Sequence, residues 1–258
     1  MNGTMIGKVA LITGGSSGIG RAAAHTFASR GAKVCLAARG ADAGEKVAQE
    51  IRSGGGEAMF VQADMGRSAD VSALVDACVK KFGRLDYGVN NAGNEGTKTS
   101  ITEYTEEDWD SIVDTNLKGT WLCMKHEIPR LIEAGGGAIM NVSSIAGLIG
   151  FPLMGPYCAT KHGIIGLTKV GALELAAHNI RVNAITAGLI DTPMGDRFVD
   201  GVSAKIGADA EQFLFSIAPM KRRGTPDEIA NAIAWLCSPE SSYITGHSLT
   251  VDGGFMAL

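Results

Sequence analysis

Long apolar runs, clusters of basic residues and paired cysteines are all missing from this chain. No stretch nears the ~18 uninterrupted apolar residues of a membrane span. Residues 1–7 carry no basic start leading into an apolar core, so neither a membrane partner nor a secretory leader is expected. Lys and Arg number 23 against 27 Asp and Glu, a net charge of −4 without any basic run, which speaks against nucleic acid. The five cysteines (Cys35, Cys78, Cys123, Cys158, Cys237) are odd in number, far apart and without CxxC spacing. That pattern suits reduced thiols in a cytoplasmic protein and excludes a disulfide framework or thiolate zinc site. The five histidines (His25, His126, His162, His178, His247) lack HxxxH spacing, so no metal is expected.

Charge is also sparse, at 19%, against 45% hydrophobic residues, enough for a substantial core and incompatible with a disordered chain. A length of 258 residues without linker, repeat or low-complexity tract fits one α/β domain over 1–258.

What the chain does have is alternation. Strand-like runs at 9–13, 34–38, 58–61, 87–89, 138–142, 182–185 and 248–251 are separated by helical patterns near 20–30, 45–51, 71–82, 106–133, 157–177 and 227–237. Strands apolar on both faces and interleaved with helices predict a doubly wound, mostly parallel Rossmann-type sheet. The triple glycines at 54–56 and 135–137 read as helix-to-strand turns. The segment 189–220 breaks the pattern: Pro193, Gly195, Gly201, Gly207 and Pro219 interrupt it and its apolar residues are scattered. It reads as an irregular substrate-binding lid.

The first strand runs into Thr13-Gly14-Gly15-Ser16-Ser17-Gly18-Ile19-Gly20 and then a helix. Glycines let a backbone approach a pyrophosphate, and a helix N-terminus offers free N–H donors at a positive dipole end. The spacing is GxxxGxG. With it, in order, come Asp64, Asn90-Asn91-Ala92-Gly93, Asn116, Asn141-Val-Ser-Ser144, Tyr157-Cys-Ala-Thr-Lys161 and Val251-Asp-Gly-Gly254. From Lys8 to Gly254 the chain resembles the short-chain dehydrogenase/reductase family.

That resemblance implies a nicotinamide cofactor held by Gly14, Ser16, Ser17, Gly18, Ile19 and Gly20 at the pyrophosphate end. Asp64 and Met65 would lie at the adenine, and Asn91, Ala92 and Gly93 under its ribose. Gly188, Ile190 and Thr192 would sit at the nicotinamide, with Tyr157 and Lys161 beside its ribose. One departure is Ala187-Gly188 where the family usually has Pro-Gly. At the end of the second strand the acid that grips the ribose of NAD is replaced by Ala38, followed by Arg39. A guanidinium that can pair with a 2′-phosphate favours NADP, with NAD the alternative.

Tyr157 and Lys161 are four apart, on one face of a helix. An ammonium there favours the phenolate, making Tyr157 a general acid/base. Ser144, rather than Ser143 on the strand's other face, can donate to a developing alkoxide. In the family, Asn116 distorts its helix and holds a water that relays protons to the lysine. Cys158, ~100° round the helix from Tyr157, faces away and is inert.

The expected reaction is hydride transfer between the cofactor and a secondary alcohol or ketone. Glu95, Ile145, Phe151, Leu153, Met154, Leu189, Phe198 and Met256 are the substrate candidates, an apolar set with one acid. Within the class, a 3-oxoacyl-carrier-protein reductase is second: Lys125 and Lys169 could grip an acidic carrier, but Leu173-Glu174 stands where an arginine is often found. A non-catalytic cofactor-binding regulator is the reading from another class, opposed by the complete Asn116, Ser144, Tyr157, Lys161 set. Family resemblance and two long helices apolar on more than one face imply a homo-oligomer, a tetramer.

Overall fold

Strand β1 (Val9–Thr13) buries all five of its side chains, because it lies inside a parallel sheet and helices cover both faces. Its alternation divides the core in two. Ala10 and Ile12 join Phe27 and Ile233 on one face, whereas Val9 and Leu11 join Leu74 and Leu122 on the other. Each fully buried Leu, Ile or Phe of this kind contributes about 1.5–3 kcal/mol. The structure, a computed structural model, describes residues 5–207 and 209–257. Residues 1–4, where most of the expectation of no leader falls, and residues 208 and 258 lie outside that description.

The sheet has seven strands in the order β3-β2-β1-β4-β5-β6-β7, every pairing parallel. β2 is Lys33–Ala38, β3 Ala58–Gln62, β4 Tyr87–Asn90, β5 Gly137–Ser144, β6 Ile180–Ala187 and β7 Ser248–Val251. The helices α1 (Gly18–Ser29), α2 (Ala41–Ser53) and α3 (Ser68–Phe82) connect the first half. The strand order reverses between β1 and β4, so the carboxyl ends of those strands flank a crevice where ligands bind in such sheets.

Two expectations change. The helix expected over 106–133 is broken: α4 (Glu106–Ile112) and α5 (Gly119–Glu133) are joined by a π-helical turn, Val113–Lys118, with Asn116 inside it. The segment 189–220 is not irregular. It folds as α7 (Pro193–Ile206) and α8 (Ala210–Ile217); Pro193 and Gly207 are the ends of α7, while Gly201 is accommodated inside it. Thr192 caps α7 by accepting from the Gly195 N–H, Pro193 occupies the first turn, where no N–H is needed, and Gly207 ends the helix at φ +66°. α6 (Gly155–Leu175) and α9 (Pro226–Cys237) complete the layers, α9 opening on a capping box between Thr225 and Glu228.

One acid is wholly internal. Glu127, on α5, is 0% exposed. Asn90 Nδ2 donates to its Oε2 at 3.2 Å and to Asn141 Oδ1 at 3.0 Å, while Glu127 Oε1 and Asn90 Oδ1 have no partner. Burial pushes its carboxyl up from 4.5 to about 7, against the pull of the Asn90 hydrogen bond. The folded state therefore keeps a proton that the unfolded chain releases, and stability falls as pH rises from 4.5 to about 7. Glu127→Gln, whose amide can donate to Asn90 Oδ1, is expected to gain up to about 3 kcal/mol above pH 7 and little below pH 4.5. Thermal melts across that range check it; a gain independent of pH would contradict the assignment.

Candidate active site

A cavity of about 480 Å³ opens at the carboxyl edge of the sheet. The loop from β1 to α1 forms one wall. Gly14 and Gly18 adopt φ +66° and +51°, conformations that side chains disfavour. Ser17 stands at the N-cap of α1 without a side-chain cap bond, so the first-turn N–H groups face the cavity mouth uncapped. Gly14, Ser16, Ser17, Gly18 and Ile19 line the cavity. Gly20 does not, contrary to expectation: a Cβ there would lie 2.2 Å from the Gly14 carbonyl oxygen, so it serves the close packing of helix on loop. This bare cradle at a helix N-terminus fits a dinucleotide pyrophosphate.

Asn91 fastens the second wall to the first. Its N–H donates to Thr13 Oγ1 at 3.0 Å and its Nδ2 to the Thr13 carbonyl at 3.0 Å. Ala92 and Gly93 continue that wall, and Asp64 and Met65 lie at the end beside Arg39. Asp64 Oδ1 accepts from the Gly66 N–H at 3.0 Å, which holds the carboxylate in place. The Arg39 side chain is exposed, its carbonyl accepts from Gln62 Nε2 at 2.8 Å, and its guanidinium meets no acid among the described residues. Gly188, Ile190 and Thr192 line the opposite side.

The polar centre lies between β5 and α6. Tyr157 and Lys161 share one helix face, with Lys161 Nζ 5.5 Å from the Tyr157 ring centre. Lys161 is 5% exposed and donates to the Val142 carbonyl at 2.8 Å. Burial brings its amine down to about 8. Burial also pushes the Tyr157 phenol up to about 12, opposed by a hydrogen bond with Ser144. In the protein alone desolvation dominates, and what opposes it is Ser144 and not, as expected, Lys161. Ser144 Oγ accepts from the Ala146 N–H at 3.1 Å, and Ser143 Oγ instead donates to the Lys161 carbonyl at 2.9 Å. Ser143 also lines the cavity, contrary to expectation, but its hydroxyl is spent on that carbonyl.

Asn116 is buried near this group but does not line the cavity. Its Oδ1 accepts from the Asn94 N–H at 2.8 Å, and its Nδ2 donates to the Asn94 carbonyl at 2.8 Å and to Thr160 Oγ1 at 3.3 Å. The side chain that sequence assigns to holding a water is occupied in pinning the loop after β4. Even its backbone carbonyl accepts from Thr120 Oγ1, at 2.7 Å.

At the far end, Glu95, Ile145, Phe151, Met154, Leu189 and Phe198 line the cavity as expected. Leu153 and Met256 do not. Leu153 sits at φ +66°, its carbonyl accepting from the Tyr104 hydroxyl at 2.8 Å, and the neighbour of Met256, Phe255, lines the cavity instead. Arg197, Leu214 and Phe215, from α7 and α8, were missed altogether. Cys158 packs behind the wall with Met154 and Phe151 and stays out of the cavity, as expected. Among the described residues no helix is long and apolar enough to cross a membrane, and no cluster of three metal-ligating side chains occurs.

Residues 14–256 match the family model described as enoyl-(acyl carrier protein) reductase. The chain is 41% identical to the A-factor type gamma-butyrolactone 1'-reductase (1S-forming) of Streptomyces virginiae, covering 99% of this chain and 98% of that one. It is 40% identical to the 2,5-dichloro-2,5-cyclohexadiene-1,4-diol dehydrogenase of Sphingobium indicum, over 98% of each. Among solved structures, levodione reductase superposes with a TM-score of 0.94 at 34% identity, covering 98% of this chain and 99% of that one.

Proposed function

The chain belongs to the short-chain dehydrogenase/reductase family, an oxidoreductase of alcohol and ketone groups, and on that premise we propose that it moves a hydride between NADP(H) and a secondary alcohol or ketone, with Tyr157 as acid/base. The observation that carries this reading is the shared cavity: the glycine cradle, the Ser144–Tyr157–Lys161 group and an apolar compartment line one continuous space. When bound, the nicotinamide supplies or takes the hydride and, oxidised, adds a positive charge near the phenol. Tyr157 gives the carbonyl oxygen its proton in reduction and removes one from the alcohol in oxidation. Ser144 donates to the same oxygen as it gains charge. Lys161 holds the cofactor ribose and favours the phenolate. Asn116 holds the loop after β4 that carries Gly93, and with it any proton-relay water. Helices α7 and α8 act as the lid over the substrate.

Arg39 selects NADP over NAD in this proposal, since it offers a guanidinium without an acidic partner where a 2′-phosphate would lie. Arg39→Asp is expected to weaken NADPH by about 2–4 kcal/mol while largely sparing NADH, because it removes a charge-assisted contact and adds a repulsive one. Steady-state KM values for both cofactors read this out. An unchanged NADPH KM would make Arg39 a bystander.

The exposed apolar residues of α5 and α6, with Trp121 46%, Val170 51% and Leu173 84% exposed, support a homo-oligomer, a tetramer. Sedimentation at micromolar concentration is expected to give a multimer; a monomer mass would contradict it. The 3-oxoacyl-carrier-protein reading draws support from the 3-oxoacyl-[acyl-carrier-protein] reductase of Staphylococcus aureus, 39% identical over 96% of this chain and 97% of that one. Lys125, one of its two expected carrier contacts, lies 5.3 Å over the Trp121 ring on that same face.

A further inference from the structure

The charged residues around the substrate end of the cavity are spent on one another or on the backbone. Glu95, on the loop after β4, is 9% exposed. Arg197, on α7 and 102 residues away, donates from Nε to its Oε1 at 2.6 Å and from Nη2 to its Oε2 at 3.2 Å. The Arg197 side chain is 60% exposed, so the pair spans from the wall to the rim. Lys98, also buried, turns away and donates to the carbonyls of Glu95 at 3.1 Å and Gly96 at 2.9 Å. Arg222 is held by Glu228 at 2.7 Å, and Asp252 accepts from the N–H groups of Gly254 and Met256. Lys161, at the catalytic centre, donates inward to Val142.

What remains of that end is flat and apolar. The Phe151 ring meets Phe198 edge-on at 6.5 Å and 89°, and Phe255 stacks on it at 6.2 Å and 29°. Met154, Leu214 and Phe215 close the compartment. An anion arriving there meets two arginines that are already paired, Arg222 with Glu228 and Arg197 with Glu95, and to use Arg197 it must displace Glu95. That would leave a buried carboxylate without its partner, a costly exchange. A neutral ring buries its faces against the phenylalanines and asks nothing of the pair.

We propose that the site selects an uncharged cyclic ketone or alcohol, and that the Glu95–Arg197 pair is the specificity determinant that rejects anionic substrates. The proposal rests on the oxidoreductase reading above and deepens it. Glu95 and Arg197 act by holding each other, which fastens α7 to the loop after β4 and keeps the Arg197 guanidinium from an incoming anion.

The test compares two cyclohexanones, one with a methyl group and one with a carboxylate on the ring carbon opposite the carbonyl. Binding is measured by calorimetry with saturating NADP⁺, which cannot reduce a ketone, and turnover is measured separately with NADPH. The methyl ketone is expected to bind wild type about 100-fold tighter than the carboxylate. Glu95→Gln frees Arg197 and narrows that ratio about tenfold. Arg197→Met, a second variant that keeps the apolar stem, removes the cation and leaves the ratio at least as wide. Equal binding of the two ketones to wild type, no measurable binding of the methyl ketone, or a ratio unmoved by Glu95→Gln overturns the proposal. Selective binding without NADPH consumption upholds the selectivity and refutes the oxidoreductase reading. Turnover without discrimination does the reverse.

Discussion

Tyr157→Phe is expected to lower kcat by ~10²–10⁴, the range for a lost general acid, while fold and cofactor affinity survive. The substitution removes a single oxygen. The ring keeps its place beside Phe151, Met154 and Cys158, where it packs against that small buried cluster. What disappears is the one proton donor that stands with Ser144 at the same point of the cavity. In the free protein burial holds the phenol up to about 12, so it is protonated across the neutral range and ready to act as an acid. In the oxidative direction the phenolate is required, and wild-type kcat/KM is expected to rise with pH through an apparent value that belongs to the coupled tyrosine–lysine–cofactor system. Retained activity of Tyr157→Phe on a verified substrate would place the proton elsewhere.

Lys161→Met carries the second large effect, and its consequences for function and for stability point in opposite directions. Rate is expected to fall by ~10²-fold or more as the charge beside Tyr157 goes. Cofactor affinity is expected to fall ~10–100-fold as a charge-assisted ribose contact goes. Stability of the free protein, by contrast, is expected to rise. The Lys161 amine stands at about 8 in the fold against 10.5 in its ordinary state, because burial penalises its charge. Below pH 8 both folded and unfolded chains hold the proton and the full penalty applies, about 3 kcal/mol. Between about 8 and 10.5 the folded state releases its proton first, so wild-type stability rises with pH and the penalty fades. Methionine removes the penalty and loses the hydrogen bond to the Val142 carbonyl, worth about 1 kcal/mol. The net gain near pH 7 is therefore about 2 kcal/mol, shrinking toward pH 10. Melting curves across that range, set beside kinetics, check both halves. A destabilised variant at pH 7 would mean that the ammonium is better compensated than its surroundings indicate.

The parts of the site that were legible in the sequence are those written locally. The glycine loop, Ser144 and the Tyr157–Lys161 spacing each need only a strand end or a few turns of helix, and the structure places them on the same cavity. The parts that were not legible depend on distant chain segments meeting. Glu95 read as a free acid because nothing local announces Arg197, on another element 102 residues later. Phe255 was passed over for its neighbour Met256 because the tail turns on Asp252, whose carboxylate accepts from both Gly254 and Met256. Over 189–220, proline and glycine looked like interruptions, yet Pro193 and Gly207 bound one helix between them. Caps and breakers share the same residues, and only the length of the run between them separates the two. Tyr157 shows a further limit. Helical spacing brings the lysine near, but how far burial raises the phenol depends on the whole wall around it.

The central claim is that this site delivers a hydride to a carbonyl carbon. It is tested most directly by supplying purified protein with a neutral cyclic ketone and NADPH in which both hydrogens at the hydride-donating carbon are deuterium. The account predicts a secondary alcohol carrying one deuterium on its carbinol carbon, formed by wild type and all but lost with Tyr157→Phe. Tight cofactor binding with no deuterated alcohol, from NADPH or from NADH labelled in the same way, would contradict it.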